Sequence, residues 1–220
     1  MATLQVRQIR VPEGQTLEIR DVSWAELEDI LEDLGEKRNT RIAYSDGTLL
    51  IVAPLPEHEI DKVCIGECVK VLLDELEIDY TSYGSTTFKK ENMSKAAEPD
   101  DCFYFEYADQ MAGKLRIDLA VDPVPELVIE VDLTSKTQVD AYQGLGVPEL
   151  WRYDTGRLRI DCLRDGKYVE VSESPLFSGW PIKEAVERYV RQAKATNQRK
   201  AKKEFRQWVT ARIEGDVDLS

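Results

Sequence analysis

The residues with the most chemistry lie between Pro125 and Gly146, in the stretch PELVIEVDLTSKTQVDAYQGLG. Leu127, Val128, Ile129 and Val131 form a short apolar run of the kind that marks a strand buried on both faces. Glu130 stands inside that run, and Asp132 follows it directly. A carboxylate in a buried strand is costly unless something pairs with it or binds it. Upstream, EPDD at Glu98 to Asp101 sets further acids at the mouth of a second apolar run, Cys102-Phe103-Tyr104-Phe105. Two neighbouring strands that each end in a carboxylate make an oxygen-lined site for a hard cation. Mg²⁺ or Mn²⁺ suits such a site, because it binds through carboxylates and keeps several waters.

Other segments must position these acids. The first twenty residues, with Pro12 and Gly14, read as a lead-in arm. Ser23 is placed to cap a helix from Trp24 to about Leu34, with Glu26 at the capping-box position and Gly35 ending it. Arg41 to Ser45 and Thr48 to Ala53 flank Asp46-Gly47, a strong hairpin signal. After Pro54 and Pro56 a helix is expected from about His58 to Leu76, with Ile65, Cys68, Val69, Leu72, Leu73 and Leu76 on one buried face. Thr81 to Phe88 reads as β-rich, Lys89 to Glu91 as loop, Asp101 to Tyr107 as the acidic strand and Ile117 to Val121 as a short strand. Beyond the strand bearing Glu130, a short helix carries Gln138 and Tyr142. Strands are then expected at Glu149 to Tyr153, Leu158 to Leu163 and Tyr168 to Val171, followed by helices at Ile182 to Ala195 and Gln198 to Ile213.

Composition narrows the function. With 29 basic and 42 acidic residues the net charge is −13, which argues against nonspecific coating of nucleic acid, since the long-range field repels phosphate. No apolar run approaches the roughly 18 residues of a membrane span, and no signal-peptide pattern opens the chain, so a cytoplasmic protein is expected. Cys64, Cys68, Cys102 and Cys162 with a single histidine make no zinc framework; they read as buried thiols. At 220 residues and 42% apolar content the chain reads as one domain, with an arm to about residue 20 and a helical extension over about 182–213.

With EPDD, the strand carrying Glu130 and GVPELWRYD at Gly146 to Asp154 in view, the chain resembles the Uma-type restriction endonucleases. That family belongs to the PD-(D/E)xK nuclease superfamily. The resemblance runs from Trp24 to about Trp180 and takes in Tyr44, Asp46 and Gly47 of the hairpin, LPEHE at Leu55 to Glu59, and GSTTFK at Gly84 to Lys89. It implies an α/β (α+β) restriction-endonuclease-like fold, a mixed central sheet flanked by helices with metal ligands on adjacent strands. Position by position, it places Asp100 at the Asp of the PD element and Glu130 at the acid of the (D/E)xK element, with Glu67 as the helix acid. Asp100, Glu130 and Glu67 are thus the implied ligands of Mg²⁺ or Mn²⁺.

The motif lysine is missing: two residues after Glu130 stands Asp132. In many Uma-type sequences a lysine sits on the next helix four before a tyrosine; here that position is Gln138. Gln138 can orient a water but cannot take its proton. Asp132 could take it or bind a second cation, because strand alternation sets it on the face of Glu130. Lys89 and Lys136 are the candidates to replace the lysine, and His58 reads as a helix-start residue before a base. Lys194, Arg199, Lys200, Lys202, Lys203 and Arg206 read as a solvated helix face, with a phosphate-contacting arm as the alternative. The resemblance implies a DNA endonuclease acting as a homodimer. The rival, favoured by the lost lysine and the acidic surface, is a weak or inactive nuclease fold that binds nucleic acid or a protein partner.

Overall fold

A computed structural model describes residues 8–35, 38–133 and 135–215. The elements are β1 (Thr16–Ile19), α1 (Trp24–Leu34), β2 (Arg41–Ser45), β3 (Thr48–Val52), α2 (Pro56–Glu75), β4 (Thr81–Ser82), β5 (Phe88–Lys90), β6 (Lys95–Ala97) and β7 (Asp101–Tyr104). They continue with α3 (Ala108–Met111), β8 (Leu127–Val131), α4 (Lys136–Leu145), β9 (Glu149–Asp154), β10 (Arg157–Arg164), β11 (Lys167–Val171), α5 (Ile182–Ala195) and α6 (Gln198–Ile213). The strands build a six-stranded sheet in the order β11-β10-β9-β8-β7-β4 and a five-stranded one in the order β1-β3-β2-β6-β5. In the first, β8 and β9 run parallel while every other pair is antiparallel.

A parallel pair needs a crossover, and α4 supplies it. Its Ala141, Tyr142 and Leu145 bury against Cys102, Tyr104, Val128 and Leu150 on one face of the six-stranded sheet. On its other side α4 meets β2 and β6 of the smaller sheet. There Gly144 leaves room for the Lys95 side chain, whose Cε lies 2.5 Å from where a Cβ would stand. Lys95 crosses the helix to donate to Ser45 Oγ at 2.8 Å and Asp46 Oδ2 at 2.6 Å. The opposite face of the large sheet carries Phe103, Ile129, Val131 and Trp151, covered by α2 and α5, with α6 packed on both helices.

Local rules explain most boundaries. Ser23 and Glu26 close a full capping box on α1. Asp46 and Gly47 have φ of 48° and 87°, the two left-handed residues of a type I′ hairpin. Helix α2 begins at Pro56, two residues before His58, since proline suits the first helical turn.

Other expectations are corrected. The lead-in arm contributes β1, paired with β3; residues 1–7 lie outside the described part. The β-rich Thr81–Phe88 stretch is split between two sheets, Lys89 and Lys90 belong to β5, and β6 went unread. Ile117–Val121 is not a strand. Asp118 and Asp122 accept from the backbone N–H groups of Ala120 and Asp118 at 2.9 and 3.0 Å, holding a turn in place of a ladder.

Candidate active site

The antiparallel register of β7 and β8 sets Asp101 opposite Ile129 and Cys102 opposite Val128. One step further brings Asp100 beside Glu130, at the end of the sheet where β8 finishes. Alternation puts both on the face of Cys102 and Val128, under α4. Asp100 Oδ2 accepts from the Val131 N–H at 2.8 Å, and Glu130 Oε1 accepts from the Tyr142 hydroxyl. The two carboxyl groups are close enough to share a hydrogen bond. They are 7% and 4% exposed. Burial, and then the charge of Asp100, pushes Glu130 well above the usual carboxylate range. Burial also raises Asp100, against the opposing pull of the Val131 N–H, Lys62 and Arg41.

No cation touches this pair among the described residues; those that act on it are held by a third acid. Glu59, in the first turn of α2, receives Lys62 Nζ at 3.0 Å on Oε2 and lies 3.7 Å from Arg41 Nη2 through Oε1. The Arg41 charge bears on both Asp100 and Glu130, and that of Lys62 on Asp100. Arg41 opens β2 beside the acids because Glu98, just ahead of Asp100, brackets Ile42. The Glu98 N–H donates to the Ile42 carbonyl at 3.0 Å, and its Oε2 accepts from the Ile42 N–H at 3.1 Å. Nothing in the local sequence singles out Arg41 or Lys62, and LPEHE marks Glu59 without a role; only the packing of the small sheet and α2 brings the three here.

The remaining expected site residues are placed as follows. Asp132 does not continue the alternation: its φ of 56° ends the strand. The side chain turns to His58 Nε2 and to Asp154, and burial raises its pKa against the pull of His58. Glu67 is not brought to the acids; it pairs with Lys202 of α6. Lys89 pairs with Glu28 at 2.5 Å on the smaller sheet, and Lys136 is exposed at the start of α4. Gln138 lies one turn before Tyr142, so it shares the helix face that meets Glu130. Much of the basic run is folded back on α2, with Lys194 on Asp61 at 2.5 Å and Arg206 on Asp74 and Glu75 at 3.4 and 3.1 Å. Arg199, Lys200 and Lys203 stay exposed. Of the EPDD acids, Asp101 points the other way, packed on Gly66 of α2 and accepting from Ser82 Oγ at 3.0 Å.

Among the described residues no group of three or more His, Cys, Asp or Glu side chains is arranged to hold a metal ion. Two adjoining acids without a cation in contact do fit a small hard ion that takes one or two carboxylates and completes its shell with water. No helix among these residues is long and apolar enough to cross a membrane.

A mixed sheet with helices on both faces and two acids side by side at one end defines a restriction-endonuclease-like α+β protein. The Uma2 family model, described as "Putative restriction endonuclease", matches residues 24–191, and the chain belongs to that family. A solved structure described as a "putative nuclease belonging to DUF820" from Anabaena variabilis ATCC 29413 is 14% identical, with a TM-score of 0.43, and the match covers 60% of this chain and 76% of that one. No curated protein matches the chain.

Proposed function

We propose that this protein is a divalent-cation-dependent endonuclease that hydrolyses DNA phosphodiester bonds, working as a homodimer built from single-domain chains. One observation carries the reading: Asp100 and Glu130, the acids the family pattern selects, stand side by side on antiparallel strands with no cation in contact. Asp100 and Glu130 would hold Mg²⁺ or Mn²⁺, which would polarise a phosphoryl oxygen and supply a deprotonated water. The chain's own residues fix that pair. The Val131 N–H orients Asp100, and the Tyr142 hydroxyl orients Glu130. Gln138, on the same helix face as Tyr142, is placed to position a water by hydrogen bond without taking its proton.

The second reading, a nuclease fold that binds nucleic acid or a partner without cutting, is favoured by the lysines. Lys89 is committed to Glu28, and Gln138 occupies the helix position expected for a lysine. Plasmid nicking with Mg²⁺ and Mn²⁺, on wild type and on Asp100→Ala and Glu130→Ala, separates the two. The nuclease reading expects slow, cation-dependent cutting that both substitutions abolish. Cutting that survives both would point to another site or a contaminant, and metal binding without any cutting would hand the case to the binding reading.

A further inference from the structure

We infer that Arg41 and Lys62 form the phosphate clamp of this site, and that Glu59 fills the clamp until a substrate phosphate displaces it. The inference rests on the endonuclease reading and names the groups that would receive its substrate. Arg41 comes from β2 of the smaller sheet and Lys62 from the second turn of α2, yet both converge on one carboxylate. Glu59 offers one oxygen to each, as a phosphodiester with two free oxygens could.

The hold is unequal and incomplete. Lys62 Nζ sits at 3.0 Å, but Arg41 Nη2 is 3.7 Å away, beyond a hydrogen bond. Arg41 Nε is buried and has no hydrogen-bond partner among the described residues. A buried donor left unpaired costs stability, and guanidinium forks match phosphate oxygens in pairs. Glu59 itself is 45% exposed, so releasing it to water is easy. Glu98, two residues ahead of Asp100, brackets Ile42 through its N–H and Oε2, which brings Arg41 and an anion it holds to the end of the sheet that carries the acids proposed to bind the metal. A local clamp of this kind is what a chain of net charge −13 needs, since its overall field repels phosphate.

The test is anisotropy of a fluorescein-labelled DNA duplex, titrated with protein in EDTA at several salt concentrations so that no cutting follows. Arg41→Met and Lys62→Met should each weaken binding roughly tenfold and flatten the salt dependence by about one. Glu59→Gln should tighten binding several-fold, because the competing anion is gone. Should Arg41→Met fail to fold by circular dichroism, Arg41→Lys, which keeps charge but loses the fork, takes its place beside Lys62→Met. Wild-type affinity and salt slope in the cation variants would overturn the inference. So would weaker binding in Glu59→Gln, which would make the trio a structural bridge, or a wild type that binds no duplex. A labelled RNA duplex of equal length that binds more tightly with the same charge dependence keeps the clamp and changes the polymer. Charge-dependent binding by a protein that never cuts would sink the endonuclease reading alone. Cutting with unaltered binding would sink this inference alone.

Discussion

Asp161 and Glu130, two of the buried acids of the six-stranded sheet, have opposite company. Asp161, on β10, is 0% exposed and grips two arginines, Arg152 Nε at 2.6 Å and Arg159 Nε at 2.9 Å. Glu130, two strands away, is 4% exposed and meets a second acid and a tyrosine. The first arrangement repays the cost of burial with direct ion pairs and hydrogen bonds. The second leaves that cost standing, because neighbouring carboxylates resist ionising together. Burial of an acid is therefore no sign of a site by itself. The informative feature is an acid set against another acid while nearby cations are held by a third residue.

The widest separation between the two regions should come from removing each acid. Glu130→Ala should abolish cation-dependent plasmid cutting, while Asp161→Asn, checked for fold, should cut at the wild-type rate. Next in size is Gln138→Lys. Proton-transfer assistance is typically worth about 10²–10⁴ in rate, and a lysine on the helix face of Tyr142 should recover part of it, read as initial nicking rates in Mg²⁺. Equal rates would mean that this turn of α4 does not reach the reacting phosphate.

Stability sharpens the contrast. Asp161→Asn takes the carboxylate from Arg152 and should cost about 3 kcal/mol in urea melts, near the low end for a broken buried pair because half-exposed Arg159 keeps Glu170 at 3.3 Å. Glu130→Gln should do the reverse in metal-free protein. The folded state keeps the Glu130 proton to higher pH than the unfolded chain does. Stability is thus full below the ordinary carboxylate pKa and is lost as pH rises through the raised one. Glutamine does not titrate, so the variant's Tm should overtake that of wild type as pH rises above the ordinary carboxylate range in calorimetry. Added Mg²⁺ at high pH should stabilise wild type by about 2.7 kcal/mol at a hundred times Kd, read as a higher Tm, and should stabilise the variant little. Parallel pH curves would mean that Glu130 is ionised in the fold. The smallest effect belongs to Glu67→Gln, which breaks a partly exposed pair with Lys202 and should cost at most about 1 kcal/mol, with cutting unchanged.

How far the chain could be read follows from the range of each force. Capping, turn and periodicity signals act within a few residues, and so α1, the β2–β3 hairpin, α2, β8, α5 and α6 were all legible. Short pieces such as β1 at a sheet edge and β6 between β2 and β5 are strands only because partners from elsewhere lie alongside, and no local pattern announces that. Sequence also singled out Asp100 and Glu130, since a carboxylate in an apolar strand stands out against its neighbours. It could not say that Glu98 serves Arg38 and Ile42, that Asp101 faces α2, or that a left-handed residue at Asp132 would turn its carboxylate to His58. Glu67 sat well in the motif but not in space, because its partner lies 135 residues away on α6. Which charges meet is decided by packing between distant segments, so the tertiary structure alone gathered Arg41, Glu59 and Lys62 around the acids that the sequence had already marked.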